Sequence, residues 1–269
     1  MTTSKSTQAI VPNCHVIKIG GSTLATLSDS FVHSLKRRVE AGQNVILVHG
    51  GGPDINTALA EREITSEVID GIRVTTPEMI HIIRNTLLGD VNSRLVGKLN
   101  AAGISAVGLS GFDGLFSSDY LNQEVYQEVG EVMEVNGGKF ELLLKAGIIP
   151  VLACIGVSPD GKPLNINADT LASGVASGVE AKSLLLVTDT PGIKRNGETV
   201  KDTTPTEIVN MIEDGTIYGG MIPKVKGALE CLETGVKAVQ ITDDSLTGTT
   251  IHAISPYTKH PRKEANIHA

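Results

Sequence analysis

Two hydrophobic rhythms alternate along the chain. Short, largely apolar runs occur at Val16–Ile19, Val45–Val48, Ser105–Leu109, Ile148–Cys154 and Leu184–Val187. Their length and β-branched content predict strands covered on both faces. Between them, apolar positions recur every three or four residues, which predicts helices. Phe31, Val32, Leu35 and Val39 share one side of a helix that Ser28 caps and Gly42 ends. Ile55 and Leu59 face inward after Pro53. The longest periodic stretch starts at Thr76-Pro77 and reaches about Ala102, with Gly89 near its middle. Its apolar surface makes it a candidate subunit interface. Further helices are expected around Phe140–Ala146, after Asp169, through Ile208–Ile212, and from Lys224 to near Gly235. Turn residues place hairpins at Glu67–Val74, Ser158–Pro163 and Arg195–Glu198, and Leu115–Asn136 reads as an antiparallel flap. Lys237–Thr242 and Thr249–His252 are the last strands. The repeated order of strand, glycine turn and helix is that of a parallel sheet with crossover helices.

Ligands of such sheets bind at the carboxyl ends of strands, and two glycine-rich turns fall there. Gly20-Gly21 follows the first strand, and Gly50-Gly51-Gly52 follows the second. Three glycines in a row are more than a turn requires. Grouped main-chain amides at a helix start make an anion site. Neither turn has the G-x-G-x-x-G spacing of a dinucleotide fold or the G-x-x-x-x-G-K-[ST] of a P-loop. Lys18 lies inside the first apolar run, and reads equally as an edge-strand lysine with its amine in water or as a cation over the glycine amides. Arg73, just after the Asp70-Gly71 turn, is either a solvated hairpin residue or a planar fork for a carboxylate. Asn165 and Asn167 alternate onto one side of an extended segment before Asp169. That aspartate is either a helix cap or part of a polar site. Thr188–Gly192 is a polar turn at another strand end. Lys224 falls in the first turn of a helix, where the macrodipole disfavours a cation, and an anion shared with the helix N-terminus accounts for it better.

Composition narrows the partners. A formal charge of −7 over 269 residues argues against a nucleic-acid surface, and the basic cluster at Lys259–Lys263 reads as a solvated tail. The three cysteines, Cys14, Cys154 and Cys231, are far apart and lack metal-ligand spacing. With no signal-like or membrane-length apolar run, a cytoplasmic protein without membrane partner is expected.

In order and spacing, these motifs resemble those of the amino acid kinase family. The matching stretches are KIGGS (Lys18–Ser22), HGGGP (His49–Pro53), GIRVTT (Gly71–Thr76), NINAD (Asn165–Asp169), TDTPGI (Thr188–Ile193) and GGMIPKV (Gly219–Val225), spread from about Val16 to Ile251. The ordered set is specific even though each motif alone is weak. The resemblance implies a three-layer αβα sandwich around a mainly parallel open sheet. It divides the chain into a flexible segment, 1–15, an N-terminal lobe, 16–181, which holds the acid substrate and the subunit interface, and an ATP-binding C-terminal lobe, 182–269. Within the family the set is most similar to the branch that phosphorylates N-acetyl-L-glutamate with ATP and Mg2+, the metal being held mainly by the nucleotide phosphates rather than by a protein site. Carried over, Gly51, Gly52, Arg73 and Asn165 bind the acid substrate. Lys18 and Lys224 stabilise the transferred phosphoryl group, and Asp169 orients both lysines. Gly20, Gly21, Thr188, Asp189, Gly192, Tyr218, Gly220 and Met221 line the nucleotide site. His49 is structural. Asp243–Thr249 lacks the Glu-, Phe- and Gly-containing signature of arginine-regulated members, which implies the arginine-insensitive homodimeric type.

Two kinds of alternative remain. One is a related kinase acting on carrier-linked aminoadipate or glutamate, for which a more basic segment in place of Gly71–Thr76 is expected. The other is a non-catalytic amino-acid sensor of the same fold, against which the joint presence of Lys18, Asp169 and Lys224 speaks. A dinucleotide-dependent oxidoreductase would need the fingerprint that is missing.

Overall fold

The computed structural model describes residues 11–25 and 27–253. Its centre is a sheet of eight strands in the order Asp202–Thr203, Gly248–His252, Ala238–Thr242, Ser183–Val187, Cys14–Ile19, Asn44–His49, Ile149–Ala153 and Ala106–Leu109. Neighbours run parallel except Ala238–Thr242 against Gly248–His252. The central strands are buried at consecutive positions, Val45 to His49 and Ile149 to Ala153 among them. Only a sheet covered on both faces buries successive side chains, so helices lie above and below it. This is the expected sandwich.

The strand Cys14–Ile19 pairs with Asn44–His49 on one side and Ser183–Val187 on the other. It is therefore interior, and Lys18 is not an edge-strand lysine. The chain leaves this strand in one direction to Asn44–His49 and adds Ser183–Val187 on the opposite side. A crevice at the carboxyl ends opens where strand order reverses in this way. One expectation needs correcting here. Cys14 and His15 belong to the first strand and are buried, 0% and 6% exposed, so the flexible segment 1–15 extends too far. Residues 1–10 and the basic tail lie outside the described residues.

A second sheet orders Phe116–Tyr120, Val129–Val135, Pro163–Ile166 and Ile155–Val157. Its first two strands form the antiparallel flap foreseen at Leu115–Asn136. The helix Ala168–Gly178 packs between this sheet and the strands Cys14–Ile19 and Asn44–His49. Glycine makes that seam close, since a Cβ on Gly178 would come within 2.5 Å of Val135 Cβ.

The long helix is continuous from Pro77 to Ala101, but its middle, Thr86–Asn92, has π geometry. Thr76 caps it through the Met79 amide. The wider π turn carries Asn92 into the core. There its Nδ2 donates to Val151 O and to His49 Nε2, both at 2.9 Å. The other ring nitrogen, Nδ1, donates to Gly50 O at 2.8 Å, so His49 is neutral with its proton on Nδ1. Burial lowers its pKa to about 4. A fully buried histidine bonded on both sides braces the glycine turn beside it.

Candidate active site

The two glycine turns meet. A Cβ on Gly21 would stand 2.7 Å from the Gly52 nitrogen and 3.2 Å from that of Gly51, and one on Gly51 would stand 2.5 Å from Leu87 Cδ2. Backbone at Gly21 and the Leu87 side chain at Gly51 leave no room for a Cβ, which is why glycine occupies both places. Gly52 differs, having nothing within 4 Å of its Cβ direction. It starts the helix Gly52–Ala60, whose N-cap residue Gly51 supplies no side-chain bond. The first-turn amides therefore face the crevice with their positive end.

Lys18 is directed at this place by its strand. Its Nζ bonds both carboxylate oxygens of Asp169 at 3.0 Å. The ammonium side chain is 17% exposed and the aspartate 51%, so the pair sits at the crevice wall with the carboxylate outward. Asp169 does not cap its helix. Asn167 does, accepting from the Asp169 and Thr170 amides at 2.8 and 3.2 Å. Asn167 keeps an extended backbone as it caps, and Asp169 stays free to reach across to Lys18 over the sheet. The start of the same helix also touches the glycine turn, Ala168 Cβ lying 3.6 Å from the Cβ direction of Gly50.

Lys224, in the helix Met221–Glu233, has different partners. Its ammonium bonds the Asp189 carboxylate and, at 2.6 Å, Thr190 Oγ1. Asp169 thus holds one lysine and Asp189 the other, whereas Asp169 was expected to orient both. The bonds to Lys224 and Thr190 keep the Asp189 carboxyl below its ordinary pKa. Beside Lys224 opens a cleft of about 940 Å³ lined by Gly192, Tyr218, Gly220 and Met221, with Tyr218 76% exposed. Thr188 braces the loop at its mouth, accepting from the Thr190 amide at 3.1 Å. Gly20 sits next to that loop, because Ile19 pairs with Val187. Gly20, Gly21, Thr188 and Asp189 are not among the residues lining the cleft; they stand at the strand ends beside it.

The groups expected to hold an acid substrate are placed around the other side. Asn165 donates to Thr75 Oγ1 at 2.9 Å. The Arg73 guanidinium bonds Ser66 Oγ and Asn56 Oδ1, so the fork is held by neutral oxygens and retains its charge for an anion. A second cavity of about 880 Å³ lies between the Asp70–Ile72 hairpin, the flap strand Val132–Val135 and the Asp169 helix. Several of these contacts were not readable in the sequence. The partners Asn56 and Ser66 of Arg73, Thr75 of Asn165 and Thr190 of Lys224 are ordinary polar residues, and only folding sets them beside a charge.

The profile of the amino acid kinase family matches residues 13–243. The chain belongs to that family. Relatives cover nearly its whole length. It is 44% identical over 246 residues to the acetylglutamate kinase of Halalkalibacterium halodurans, covering 88% of this chain and 95% of the relative. The acetylglutamate kinase of Bacillus licheniformis is 42% identical over 245 residues, with the same shares covered. Among solved structures, a Streptococcus mutans UA159 protein superposes with a TM-score of 0.77 at 36% identity, covering 90% of this chain and 99% of the other. Membership in a family of kinases makes the protein a phosphotransferase and implies a nucleotide as phosphoryl donor. Among the described residues, no helix is long and apolar enough to cross a membrane.

Proposed function

We propose that the protein transfers the γ-phosphoryl group of ATP to the γ-carboxylate of N-acetyl-L-glutamate, giving N-acetyl-L-glutamyl 5-phosphate and ADP, a step of arginine biosynthesis. The observation that carries this reading is the near-full-length similarity to acetylglutamate kinases. The ion-paired lysines at the glycine turns supply the chemistry. A carboxylate oxygen attacks the γ-phosphorus, the new P–O bond forms as the bond to the ADP oxygen breaks, and ADP leaves with that electron pair. The nucleophile is already ionised at neutral pH, so no general base is required. What the reaction requires is in-line placement and neutralisation of charge on the equatorial oxygens.

In this reading Lys18 and the amides of the two glycine turns meet the transferred group. Asp169 keeps the Lys18 ammonium in place. Arg73 pairs with the α-carboxylate of the substrate, Asn165 hydrogen-bonds it, and Gly51 and Gly52 contact it through the backbone. The cleft beside Lys224 takes the nucleotide, with Gly192, Tyr218, Gly220 and Met221 around it. Mg2+ suits a site of this kind when it arrives on the phosphates. It is a hard cation that keeps several waters, while the Asp169 carboxylate is committed to Lys18. Bound there, it would add to the neutralisation of phosphate charge. Residues 16–181 then act as an acid-binding lobe and 182–253 as a nucleotide-binding lobe on one continuous sheet, in a homodimer.

The test is ADP release with ATP and Mg2+, comparing N-acetyl-L-glutamate with glutamate, aspartate, carbamate and N-acetyl-aminoadipate, with hydroxylamine to trap an acyl phosphate. Turnover confined to N-acetyl-L-glutamate is expected. Turnover confined to another acid would move the substrate, and none with any acid would leave a sensor.

A further inference from the structure

The two lysines of the crevice are held in unlike ways. Lys18 rises from the carboxyl-terminal part of an interior strand, and its aspartate is fixed on a helix packed against that strand. Lys224 springs from the first turn of the helix Met221–Glu233 and is 25% exposed, while its partner Asp189 is on a loop with the side chain 84% exposed. That helix has no side-chain cap, and Gly220 precedes it. Lys224 thus adds an ammonium to an already positive helix end, and the chain's own anion for it is Asp189, with Thr190 Oγ1 as second acceptor. Asp189 is also bonded by Thr190 Oγ1 at 3.1 Å, so carboxylate, hydroxyl and ammonium form one small cluster at the mouth of the cleft that Lys224 lines. A solvent-facing carboxylate is weakly held and readily exchanged for an anion of higher charge.

We propose that Asp189 is a positioning residue that competes with polyphosphate for Lys224. Its carboxylate holds the ammonium beside Thr190, and the phosphate tail of the nucleotide takes that ammonium over by exchange, one anion replacing another, without proton transfer. The carboxylate lowers the apparent affinity of every anion that must displace it by one factor, so only a tail of several charges binds tightly enough to occupy Lys224. This inference rests on the nucleotide reading of the cleft.

The test measures the affinity of inorganic tripolyphosphate for the full-length protein by titration calorimetry. Tripolyphosphate has no ribose or base, so any contact of Asp189 with a nucleoside drops out. Asp189→Asn is expected to tighten tripolyphosphate binding about fivefold. In a Lys224→Ala background the same Asp189 substitution is expected to change nothing. Weaker or equal binding by Asp189→Asn would overturn the proposal, because the carboxylate would then be a support for Lys224 and not a competitor. So would equal tightening in both backgrounds, which is the general effect of removing one negative charge, and so would a native protein that does not bind tripolyphosphate. Asp189→Ala serves as a second variant, with thermal midpoints checking that all are folded. Turnover of N-acetyl-L-glutamate on the same preparations separates the two readings. Turnover by the native protein with unaltered tripolyphosphate affinity in Asp189→Asn removes the exchange alone, and tightened affinity without native turnover removes the kinase alone.

Discussion

The region around Lys18 and the region around Lys224 carry the same charge into one crevice on opposite kinds of scaffold. At Lys18 the glycine turns touch through their backbones, His49 is bonded on both ring nitrogens, and Asp169 stands on a helix wedged between two sheets. At Lys224 the partner is a loop carboxylate in water, next to an exposed tyrosine. The first region is determined by packing, in which each group constrains the next. The second is determined by charge, in which one anion can stand in for another. A two-substrate transfer benefits from that difference, since one side must keep its geometry while the other admits and releases a highly charged ligand.

The largest effects should separate the two regions by which constant they change. Lys18→Ala removes a cation that packing already holds in place, and is expected to lower kcat roughly 100- to 1,000-fold with little change in the KM for ATP. Lys224→Ala is expected to lower kcat and raise the KM for ATP together. Steady-state kinetics with both substrates varied distinguishes them, and identical behaviour of the two variants would erase the contrast.

Next in size is the acid response of the packed region. The pKa of His49 falls from 6.5 to about 4 in the fold, and burial lowers that of His15 to about 4 as well. Between those values the unfolded chain binds more protons than the folded one, so stability falls as pH drops from about 6.5 to about 4 and is level above. For His49 the loss is roughly 3 kcal/mol by about pH 4. Urea unfolding midpoints across this range should show it, and His49→Asn should lessen the slope and leave the His15 share. A native midpoint that is flat from pH 6.5 to 4.5 would contradict it.

Smaller still are the effects of single methyl groups on the glycine turn. Gly51→Ala drives a Cβ into Leu87 and is expected to cost about 1–3 kcal/mol of stability. Gly52→Ala meets open space and should change stability by less than about 0.5 kcal/mol, while raising the KM for N-acetyl-L-glutamate by crowding the amides that face it. Thermal melts beside kinetics test both, and equal melting losses would show that the turn is uniformly packed.

Much of this architecture could be read from the chain. The apolar runs that became central strands, the Ser28 cap, the helix start at Thr76-Pro77 and the flap at Leu115–Asn136 follow from local chemistry and periodicity, and the structure has them where they were expected. The start of the first strand was placed too late because Cys14 and His15 follow a polar stretch, and their burial depends on strands at Asn44 and Ser183 that pair with them from far along the chain. The π turn that aims Asn92 at His49 has no local sign, since its residues read as ordinary helix formers.

The crevice divides along the same line. Which residues are candidates for the chemistry could be read from the sequence, because glycine runs at strand ends, lysines inside apolar or helix-start positions and an Asn-x-Asn-x-Asp stretch are local patterns with local physical reasons. Which residue each of them holds was settled by the tertiary structure. Asn167 takes the cap and releases Asp169 to Lys18, and Lys224 goes to Asp189 across 35 residues of chain. Capping and periodicity depend on neighbours within a few residues, whereas an ion pair between distant segments depends on strand order, and strand order is decided only when all the strands compete for the same core.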